Sequence, residues 1–307
     1  MTRIISVSRR TDVPAFYPDW FMNRLKDGFA GYVNPFSGKR HLVSLEPEDV
    51  LCFVFWSKDL TPFRNALKYL DRTGYKFYFH YTITGFPGYL ESGVTDTEKN
   101  ISFLIELSDL YSADRVVWRY DPIVMTSELD HSFHVRNFMS LAGKLKGRVK
   151  RCYFSFVQMY GKVKKNFDLL KERAGINILE PDTEFRAGLA SELAVIAEDY
   201  GIELYSCCGD ELVRDRVRKA HCVDRDLVSS LSGPQGRSLK EKPTREGCGC
   251  AESTDIGAYD TCVHGCVYCY ANINKEKASS LYKEHDKDSA FLGYPKDLSD
   301  KWLKELE

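Results

Sequence analysis

A chain of 307 residues with 43% hydrophobic side chains is long enough for one barrel of roughly 250 residues plus an appendage. Its 43 basic and 44 acidic residues nearly cancel, which argues against a protein that binds nucleic acid mainly through bulk charge. The sequence shows no secretory signal pattern and no apolar run near the roughly 20 residues of a membrane helix. We therefore expect a cytoplasmic protein that does not enter a membrane.

Strand-like and helix-like segments alternate along the first two thirds of the chain. The strand candidates share runs of apolar, β-branched or aromatic residues and lie at 4–9, 30–35, 39–45, 50–56, 76–84, 115–120, 151–157 and 202–207. The helix candidates share apolar positions three or four residues apart and lie at 17–28, 61–74, 96–110, 131–146, 161–173 and 183–200. Continuous apolar runs such as 50–56 are typical of strands buried on both faces, whereas 39–45 could be a hairpin arm.

Repeated strand–helix units predict a parallel sheet, and about seven of them indicate an α/β fold of the (β/α) barrel kind, TIM-like or partial. After about residue 222 the composition changes, and the polar, Gly- and Pro-containing segment 229–247 is typical of a linker or surface loop. We therefore expect a barrel at 1–222 and a cysteine-rich extension at 223–307 that packs on the barrel mouth. The segment DIGAY (255–259) could supply a further strand, which would make the barrel circularly permuted.

Ten cysteines in a reducing compartment favour metal binding over a disulfide framework. Cys262, Cys266 and Cys269 have the spacing C-x3-C-x2-C, with Tyr268 directly before the last cysteine. Three thiolates can occupy three corners of a cubane iron–sulfur cluster and leave its fourth iron open. Zinc is the competing interpretation, because C-x2-C is a common zinc half-site that His264 or another cysteine could complete.

These residues resemble the signature of the radical S-adenosylmethionine (SAM) superfamily, C-x3-C-x-aromatic-C. The string YDTCVHGCVYCYAN (259–272) is particularly similar to the cluster loop of spore photoproduct lyase and its relatives. In that superfamily the open iron chelates the amino and carboxylate groups of SAM, and one electron cleaves SAM to a 5′-deoxyadenosyl radical. The resemblance implies a [4Fe-4S] cluster, SAM, and an electron donor such as flavodoxin or ferredoxin. It leaves the substrate open among small molecules, peptides and nucleic acid.

The position of the motif differs from that in most radical SAM proteins, where it follows the first barrel strand. Together with SVSRRTDVPAFYPDWF (6–21), WRYDPI (118–123) and DIGAYDTC (255–262), the chain resembles a family of radical SAM barrels whose cysteine cluster lies at the C-terminus. Such barrels carry their active sites at the carboxyl ends of the strands, and a C-terminal loop can reach that end as well as an N-terminal loop can.

A second group of cysteines could bind another iron–sulfur cluster or a structural zinc ion. The four most plausible ligands are Cys208, Cys222, Cys248 and Cys250. Many radical SAM enzymes carry an auxiliary cluster, so the resemblance supports this interpretation, whereas the alternative is that some of these cysteines are free thiols. Cys52 and Cys152 lie inside apolar strands, where we expect them to pack in the core.

Polar residues at strand ends are the remaining candidates, because a barrel takes its functional groups from there. The candidate catalytic residues are Arg119 and Asp121. The candidate cofactor-binding residues lie at strand ends or in the cysteine motif and are Arg9, Arg10, Asp12, Lys58, Thr82, Ser155 and Tyr268. Arginine binds carboxylates through two parallel hydrogen bonds, so Arg9, Arg10 or Arg119 could bind the SAM carboxylate. Alternatively, Arg119 and Asp121 pair with each other or with Arg9 and Asp12 and close the barrel top.

The sequence thus predicts a radical SAM enzyme that abstracts a hydrogen atom from its substrate. The alternative is a non-catalytic protein in which zinc or an iron–sulfur cluster fastens the C-terminal segment to the barrel.

Overall fold

The computed structural model describes residues 2–306 except 235, 237 and 238. Within that part of the chain, the strands are β1 (Arg3–Val7), β2 (Phe29–Val33), β3 (Arg40–Ser44), β4 (Val50–Ser57), β5 (Phe77–Thr82), β6 (Val116–Ile123), β7 (Arg151–Phe156), β8 (Glu203–Ser206), β9 (Val217–Lys219) and β10 (Thr254–Asp255). Eight of them form one parallel sheet in the order β10-β1-β4-β5-β6-β7-β8-β9. The other two, β2 and β3, form a separate antiparallel ribbon.

Helices connect and cover the strands. They are α1 (Val13–Phe16), α2 (Pro18–Lys26), α3 (Arg64–Thr73), α4 (Thr97–Tyr111), α5 (His131–Leu145), α6 (Gly161–Ala174), α7 (Thr183–Asp199), α8 (Arg225–Ser232), α9 (Lys275–Glu284) and α10 (Lys296–Lys304). Aspartate side chains accept N–H groups at the starts of α4, α5 and α7, as helix-capping chemistry predicts. In the described part of the chain, no helix is both long and apolar enough to cross a membrane.

The predicted α/β alternation is confirmed, and the structure differs from the prediction in three places. The strand β9 has three residues, too few for a recognisable hydrophobic pattern, and β10 overlaps the strand suggested at 255–259 only at Asp255. The predicted strand 30–35 belongs to the ribbon rather than to the main sheet. The predicted linker 229–247 begins inside α8, and its residues 235, 237 and 238 lie outside the described residues.

The two faces of the sheet have separate apolar cores. One core joins the sheet to the surrounding helices and includes Trp20, Leu104 and Leu193. The other core contains strand residues such as Val54 and Tyr78 together with residues of α8. The main sheet is therefore buried on both faces, as parallel sheets are, and the nearly uninterrupted apolar run of β4 follows from that burial.

The last strand of the sheet comes from the C-terminal third of the chain. Thr254 and Asp255 of β10 pair in parallel with Ile5 and Ser6 of β1. Between β9 and β10 lies α8, and the segments 220–223 and 249–251 on either side of this helix hydrogen bond to each other. The result is a barrel-like α/β fold whose sheet draws strands from both sides of residue 222.

Stability toward acid depends in part on a buried histidine of α5. His134 is fully buried, and its ring nitrogens lie 2.9 Å from the hydroxyl of Tyr120 and 3.0 Å from the carbonyl oxygen of Val124. Burial lowers the pKa of His134 from 6.5 to about 4, so on acidification the unfolded chain takes up a proton before the folded protein does. The free energy of unfolding therefore decreases as the pH falls from 6.5 toward 4. At pH 5, protonation of His134 in the unfolded chain lowers it by about 2 kcal/mol.

We expect the free energy of unfolding of the wild-type protein to fall more steeply between pH 7 and pH 5 than that of the His134→Gln variant. Urea unfolding followed by circular dichroism measures both. His41 is exposed on β3, and His41→Gln should keep the wild-type pH dependence. Equal pH dependence in all three proteins would contradict the assignment.

Candidate functional site

The carboxyl ends of the eight parallel strands meet at one edge of the sheet, which we call the mouth. The candidate residues follow or finish these strands: Arg9, Arg10 and Asp12 after β1, Lys58 after β4, Thr82 in β5, Arg119 and Asp121 in β6, Ser155 in β7, Cys208 after β8 and Cys222 after β9. The fold therefore brings residues that are far apart in sequence to one side of the molecule, where barrels carry their sites.

The three-cysteine motif lies in a loop that follows β10 at the mouth. This cysteine loop, residues 256–273, is bound to its surroundings by several hydrogen bonds. The hydroxyl of Tyr17 donates to the carbonyl oxygen of Thr261 at 2.6 Å, and the N–H of Val267 donates to the carbonyl oxygen of Leu90 at 2.9 Å. The loop is therefore fixed to the residue that precedes α2 and to the segment after β5.

A glycine within the motif is required by geometry. Gly265 has a φ of +68°, a left-handed conformation that side chains disfavour. A Cβ atom at this position would lie 2.7 Å from the hydroxyl oxygen of Ser92. Gly265, which directly precedes the second cysteine of the motif, thus lets the backbone turn tightly against the neighbouring loop.

Of the three cysteines of the loop, Cys266 is buried and Cys262 and Cys269 are half-buried. Burial raises the pKa of the Cys266 thiol to about 12, against the lowering effect of nearby Lys58. Burial also raises the pKa of Cys262, and the neighbouring charges of Cys269 and Cys266 would raise it further. The N–H of Ala271 donates to the sulfur of Cys269 at 3.3 Å. The sulfurs therefore lie near one another, and a cation that replaces their protons would stabilise all three.

The three cysteines of the loop offer only sulfur atoms as metal ligands, and sulfur ligands suit iron–sulfur clusters and zinc. Among the described residues, no group of three or more His, Cys, Asp or Glu side chains is arranged to hold a single metal ion as it stands. A cubane cluster spreads its thiolate ligands over separate irons, so it does not require the sulfurs to converge on one point.

A buried ion pair lies directly beside the cysteine loop. Lys58 Nζ donates to Glu91 Oε1 at 2.8 Å, and Thr84 donates to the same oxygen at 2.7 Å. The hydroxyl of Tyr268, in the cysteine loop, also donates to Glu91. Burial disfavours the charged carboxylate, but Lys58 and these donors keep the pKa of Glu91 below its usual value. Two predicted cofactor-binding residues, Lys58 and Tyr268, are thus joined through a glutamate.

Sequence reasoning missed Glu91, because it lies in an irregular segment nine residues after the last residue of β5 and in no recognisable motif. Its only sequence-level signal is that it is an acidic residue shortly after a strand end.

Asp12 connects the first strand end to the cysteine loop. Its carboxylate accepts hydrogen bonds from the hydroxyl of Ser57 at 2.7 Å and from the N–H of Lys58 at 2.7 Å. It also caps α1 through the N–H of Ala15, and the Nε2 atom of His264 lies 2.7 Å from Asp12 Oδ2. The oxygens of this predicted SAM-binding residue are therefore already engaged in positioning the loop.

Arg9 and Arg10 lie near Asp255, the last residue of β10. Arg9 Nε lies 3.7 Å and Arg10 Nε 4.0 Å from the Asp255 carboxylate, which also accepts the hydroxyls of Ser6 and Ser8 at 2.6 Å. The guanidinium of Arg9 is therefore only partly satisfied by this carboxylate.

Three buried polar atoms around the mouth have no hydrogen-bond partner within the described part of the chain. They are Arg9 Nη1, Thr11 Oγ1 and Asn272 Oδ1. Asn272 is part of the cysteine loop, and its Nδ2 atom donates to the carbonyl oxygen of Cys262 at 2.6 Å. Buried polar groups are nearly always hydrogen bonded, so these atoms are candidates for contacts with a bound molecule.

The predicted catalytic residues Arg119 and Asp121 pair with each other. Arg119 Nε donates to Asp121 Oδ2 at 3.1 Å, and the hydroxyl of Ser155 donates to the other carboxylate oxygen. Arg119 Nη1 also donates to the sulfur of Cys222 at 3.2 Å. Thr82, a half-buried residue of β5, is the register partner of Arg119. The pairing that the sequence offered as the alternative to ligand binding is therefore present.

The second group of cysteines also comes together. Cys208, Cys222, Cys248 and Cys250 lie side by side, and Cys207, which sequence reasoning left out, lies among them. Cys52 and Cys152 are fully buried in β4 and β7, as expected for core residues.

A cavity of about 470 Å³ opens beside the cysteine loop. Its walls come from the β2–β3 ribbon, from residues 256–261 of the loop and from Arg10 and Lys277. It is large enough for a small molecule and lies next to the first cysteine of the motif.

Comparison with models of known protein families gives a match over most of the chain. The family model described as "Domain of unknown function (DUF1848)" matches residues 4–271. The matched range includes every strand of the parallel sheet except the first residue of β1, and it includes all ten cysteines. No curated protein and no solved structure matches the chain.

Proposed function

The chain belongs to the DUF1848 family, and from the chemistry of its site we propose that it is a radical SAM enzyme. The proposed cofactors are a [4Fe-4S] cluster bound by Cys262, Cys266 and Cys269, and SAM. The substrate stays open among small molecules, peptides and nucleic acid, and an electron donor such as flavodoxin or ferredoxin would be the partner.

One observation carries the proposal. A C-x3-C-x-aromatic-C loop lies at the carboxyl-end mouth of a parallel sheet, with Cys266 buried and Cys262 and Cys269 half-buried. Three thiolates leave one iron of a cubane cluster without a protein ligand. An open metal position is what distinguishes a reactive site from a structural one.

The surroundings of the loop suit an anionic cluster. Lys58 and Lys162 both lower the pKa of Cys269, although burial acts in the opposite direction and more strongly. The N–H of Ala271 points at the Cys269 sulfur. Hydrogen bonds and positive charges at thiolate sulfurs stabilise a negatively charged iron–sulfur centre.

The unpartnered polar atoms suit SAM, which carries an amino group, a carboxylate and ribose hydroxyls. Arg9 Nη1 is a donor that could bind a carboxylate, and Asn272 Oδ1 is an acceptor that could bind an ammonium group. Thr11 Oγ1 could bond to a ribose hydroxyl. Arg10, which borders the cavity, is a further candidate for a carboxylate or for the substrate.

When bound, the cluster and SAM would supply a one-electron cleavage that starts radical chemistry. The chain's own groups would bind and orient SAM at the mouth, and Arg119 and Asp121 would line the barrel beneath it. Asp12 and Glu91 would fix the cysteine loop through His264 and Tyr268. Enclosure of the reacting groups at the mouth would keep water away from a reactive species.

The test is metal analysis and electron paramagnetic resonance (EPR) of protein purified without oxygen. We expect at least about four irons and four sulfides per chain, and a reduced-state EPR signal that changes when SAM is added. Zinc without iron after anaerobic reconstitution would instead support the structural metal site. An iron–sulfur signal that does not respond to SAM would also contradict the proposal.

A further inference from the structure

Five cysteines that lie outside the cysteine loop and the strand cores meet beside the ends of β8 and β9. Cys207 Sγ lies 4.0 Å from Cys208 Sγ and 3.5 Å from Cys222 Sγ. Cys248 contacts Cys208 and Cys250, and Cys250 contacts Cys222. We call these five residues the five-thiol group. Its sulfurs touch one another, whereas the ligands of an iron–sulfur cluster are held apart by the irons and sulfides between them. Contacts of this kind favour chemistry between the thiols themselves.

The five-thiol group has a buried part and a part that solvent can reach. The buried members are Cys207, Cys222 and Cys250. Cys208 and Cys248 are half-buried, so a molecule in solution can reach the sulfurs of these two. A Cβ atom placed on Gly247 would lie 3.4 Å from the Cα atom of Cys208, so the chain just before Cys248 already lies against Cys208. A disulfide needs Cα atoms within about 7 Å of each other, and this close approach suits one.

The backbone at Cys208 helps to bring the thiols together. Cys208 has a φ of +58°, a left-handed conformation that is uncommon for a residue with a side chain. Successive residues of an extended chain point to opposite faces, so this turn is what places the thiols of Cys207 and Cys208 on the same side. Backbone strain of this kind is concentrated at functional sites.

Both half-buried sulfurs accept hydrogen bonds from the segment that carries Cys248. Arg245 Nε donates to Cys208 Sγ at 2.9 Å, and the hydroxyl of Thr244 donates to Cys248 Sγ at 3.7 Å. The sulfur of Cys248 also accepts from the thiols of Cys208 and Cys250. Hydrogen bonds from charged or polar donors stabilise a thiolate, and the thiolate is the nucleophile in thiol–disulfide exchange.

From the contact between these two sulfurs, their exposure and their hydrogen-bond donors, we infer that Cys208 and Cys248 form a reversible thiol–disulfide site. Its co-reactant is a low-molecular-weight disulfide such as oxidised glutathione. The thiolate of Cys248 attacks one sulfur of that disulfide, which forms a mixed disulfide and releases one thiolate. Cys208 then loses its proton to solvent, and its thiolate attacks the Cys248 sulfur beside Arg245. This second step forms the Cys208–Cys248 bond and releases the second thiolate. Two protein thiols are oxidised, and one small disulfide is reduced to two thiols.

The bond would tie the segment after β8 to the segment that leads into β10, and it would close a loop that contains β9 and α8. The cysteine that attacks first and the cysteine that closes the bond both lie at the solvent-facing part of the group, so a small reductant can reverse the reaction. This inference does not rest on the proposed function, because no residue is shared between the five-thiol group and the cysteine loop.

The experiment treats the wild-type protein, reduced and then freed of reductant without oxygen, with oxidised glutathione. The remaining thiols are blocked with iodoacetamide, and the disulfides are mapped by mass spectrometry after proteolysis. We expect a Cys208–Cys248 cross-link that dithiothreitol reverses. No cross-link, or a cross-link between another pair of the five-thiol group, would overturn the inference. Zinc or iron that stays bound to these cysteines and prevents the reaction would also overturn it.

Two variants test the order of the steps. Cys208→Ala should stop at the mixed disulfide and leave glutathione attached to Cys248, whereas Cys248→Ala should form neither the adduct nor the cross-link. Arg245→Gln should keep the rate of the first step and slow the closing step, so glutathione on Cys248 accumulates. A cross-link that forms in Cys248→Ala at the wild-type rate would overturn the assignment of the pair.

Cys52→Ala is the matched control, because it removes a fully buried cysteine from the core part of β4 and should keep the cross-link. Far-UV circular dichroism of every variant separates loss of the reaction from loss of fold. A variant in which Cys262, Cys266 and Cys269 are all alanine should form the same bond. A Cys208–Cys248 bond in a protein that does not cleave SAM would therefore support this inference and reject the proposed function.

Discussion

Replacing Cys266 with alanine is expected to abolish SAM cleavage. Cys266 is the buried central cysteine of the loop, and its backbone is bridged to Glu91. Without it, two thiolates remain for a cluster that needs three. Changes to groups beyond the metal ligands already cost about 10–100-fold, so loss of a ligand should reduce 5′-deoxyadenosine formation by about a hundredfold or more.

The measurement is chromatographic detection of 5′-deoxyadenosine after incubation with SAM and dithionite. Cys152→Ala is the matched control, since it removes an equally buried cysteine from β7 and should keep the activity. Wild-type turnover by Cys266→Ala would reject the cysteine loop as the catalytic centre. If both variants lose activity and helical circular dichroism together, the effect is on folding, and Cys266→Ser provides the smaller change.

The second large effect is expected at the ion pair beside the loop. Lys58→Met leaves the Glu91 carboxylate buried without its cation, and both side chains are largely inaccessible, at 13% and 5% exposure. Removing one partner of a buried pair costs about 3–5 kcal/mol, because the remaining charge stays uncompensated. We expect the free energy of unfolding of the metal-free protein to fall by about that amount.

A double variant separates this cost from general damage. Lys58→Met with Glu91→Gln removes both charges and keeps an oxygen that can accept from Thr84 and Tyr268. It should recover most of the lost stability in urea unfolding. Lys68→Met changes an exposed lysine of α3 and should stay within about 0.5 kcal/mol of the wild type. If the double variant is no more stable than Lys58→Met, the pair is not what stabilises this region.

The strands that could be predicted from the sequence are those whose own residues form a recognisable hydrophobic pattern. The run in β4 is continuous and apolar because both faces of the sheet are buried, so its pattern is visible in the sequence of the strand itself. By contrast, β10 has two residues, overlaps the strand suggested at 255–259 only at Asp255, and pairs with Ile5 and Ser6, nearly the whole chain away. Short strands defined by such distant partners leave no periodicity to detect.

The residues of the candidate site also fall into those that local sequence predicts and those that it does not. Cys262, Cys266 and Cys269 could be predicted as metal ligands, because their close spacing is visible in a short stretch of sequence. Glu91 could not be predicted, because its importance comes from contacts with Lys58 and Tyr268, 33 and 177 positions away. Cys207 was left out because counting cysteines cannot show that a left-handed turn at Cys208 places both thiols on one side.

The pairing of β10 with β1 also sets an order of events during synthesis. Ser6 and Asp255, which hydrogen bond across this pair, lie 249 positions apart in the chain. At translation rates of about 5–20 residues per second, β10 is synthesised roughly 10–50 s after β1, and during that time one edge of β1 has no partner strand. The cysteine loop is translated later still. Any metal that this loop binds would therefore enter only after most of the chain has been made, and until β10 is available the nascent β1 has an unpaired edge that is open to aggregation.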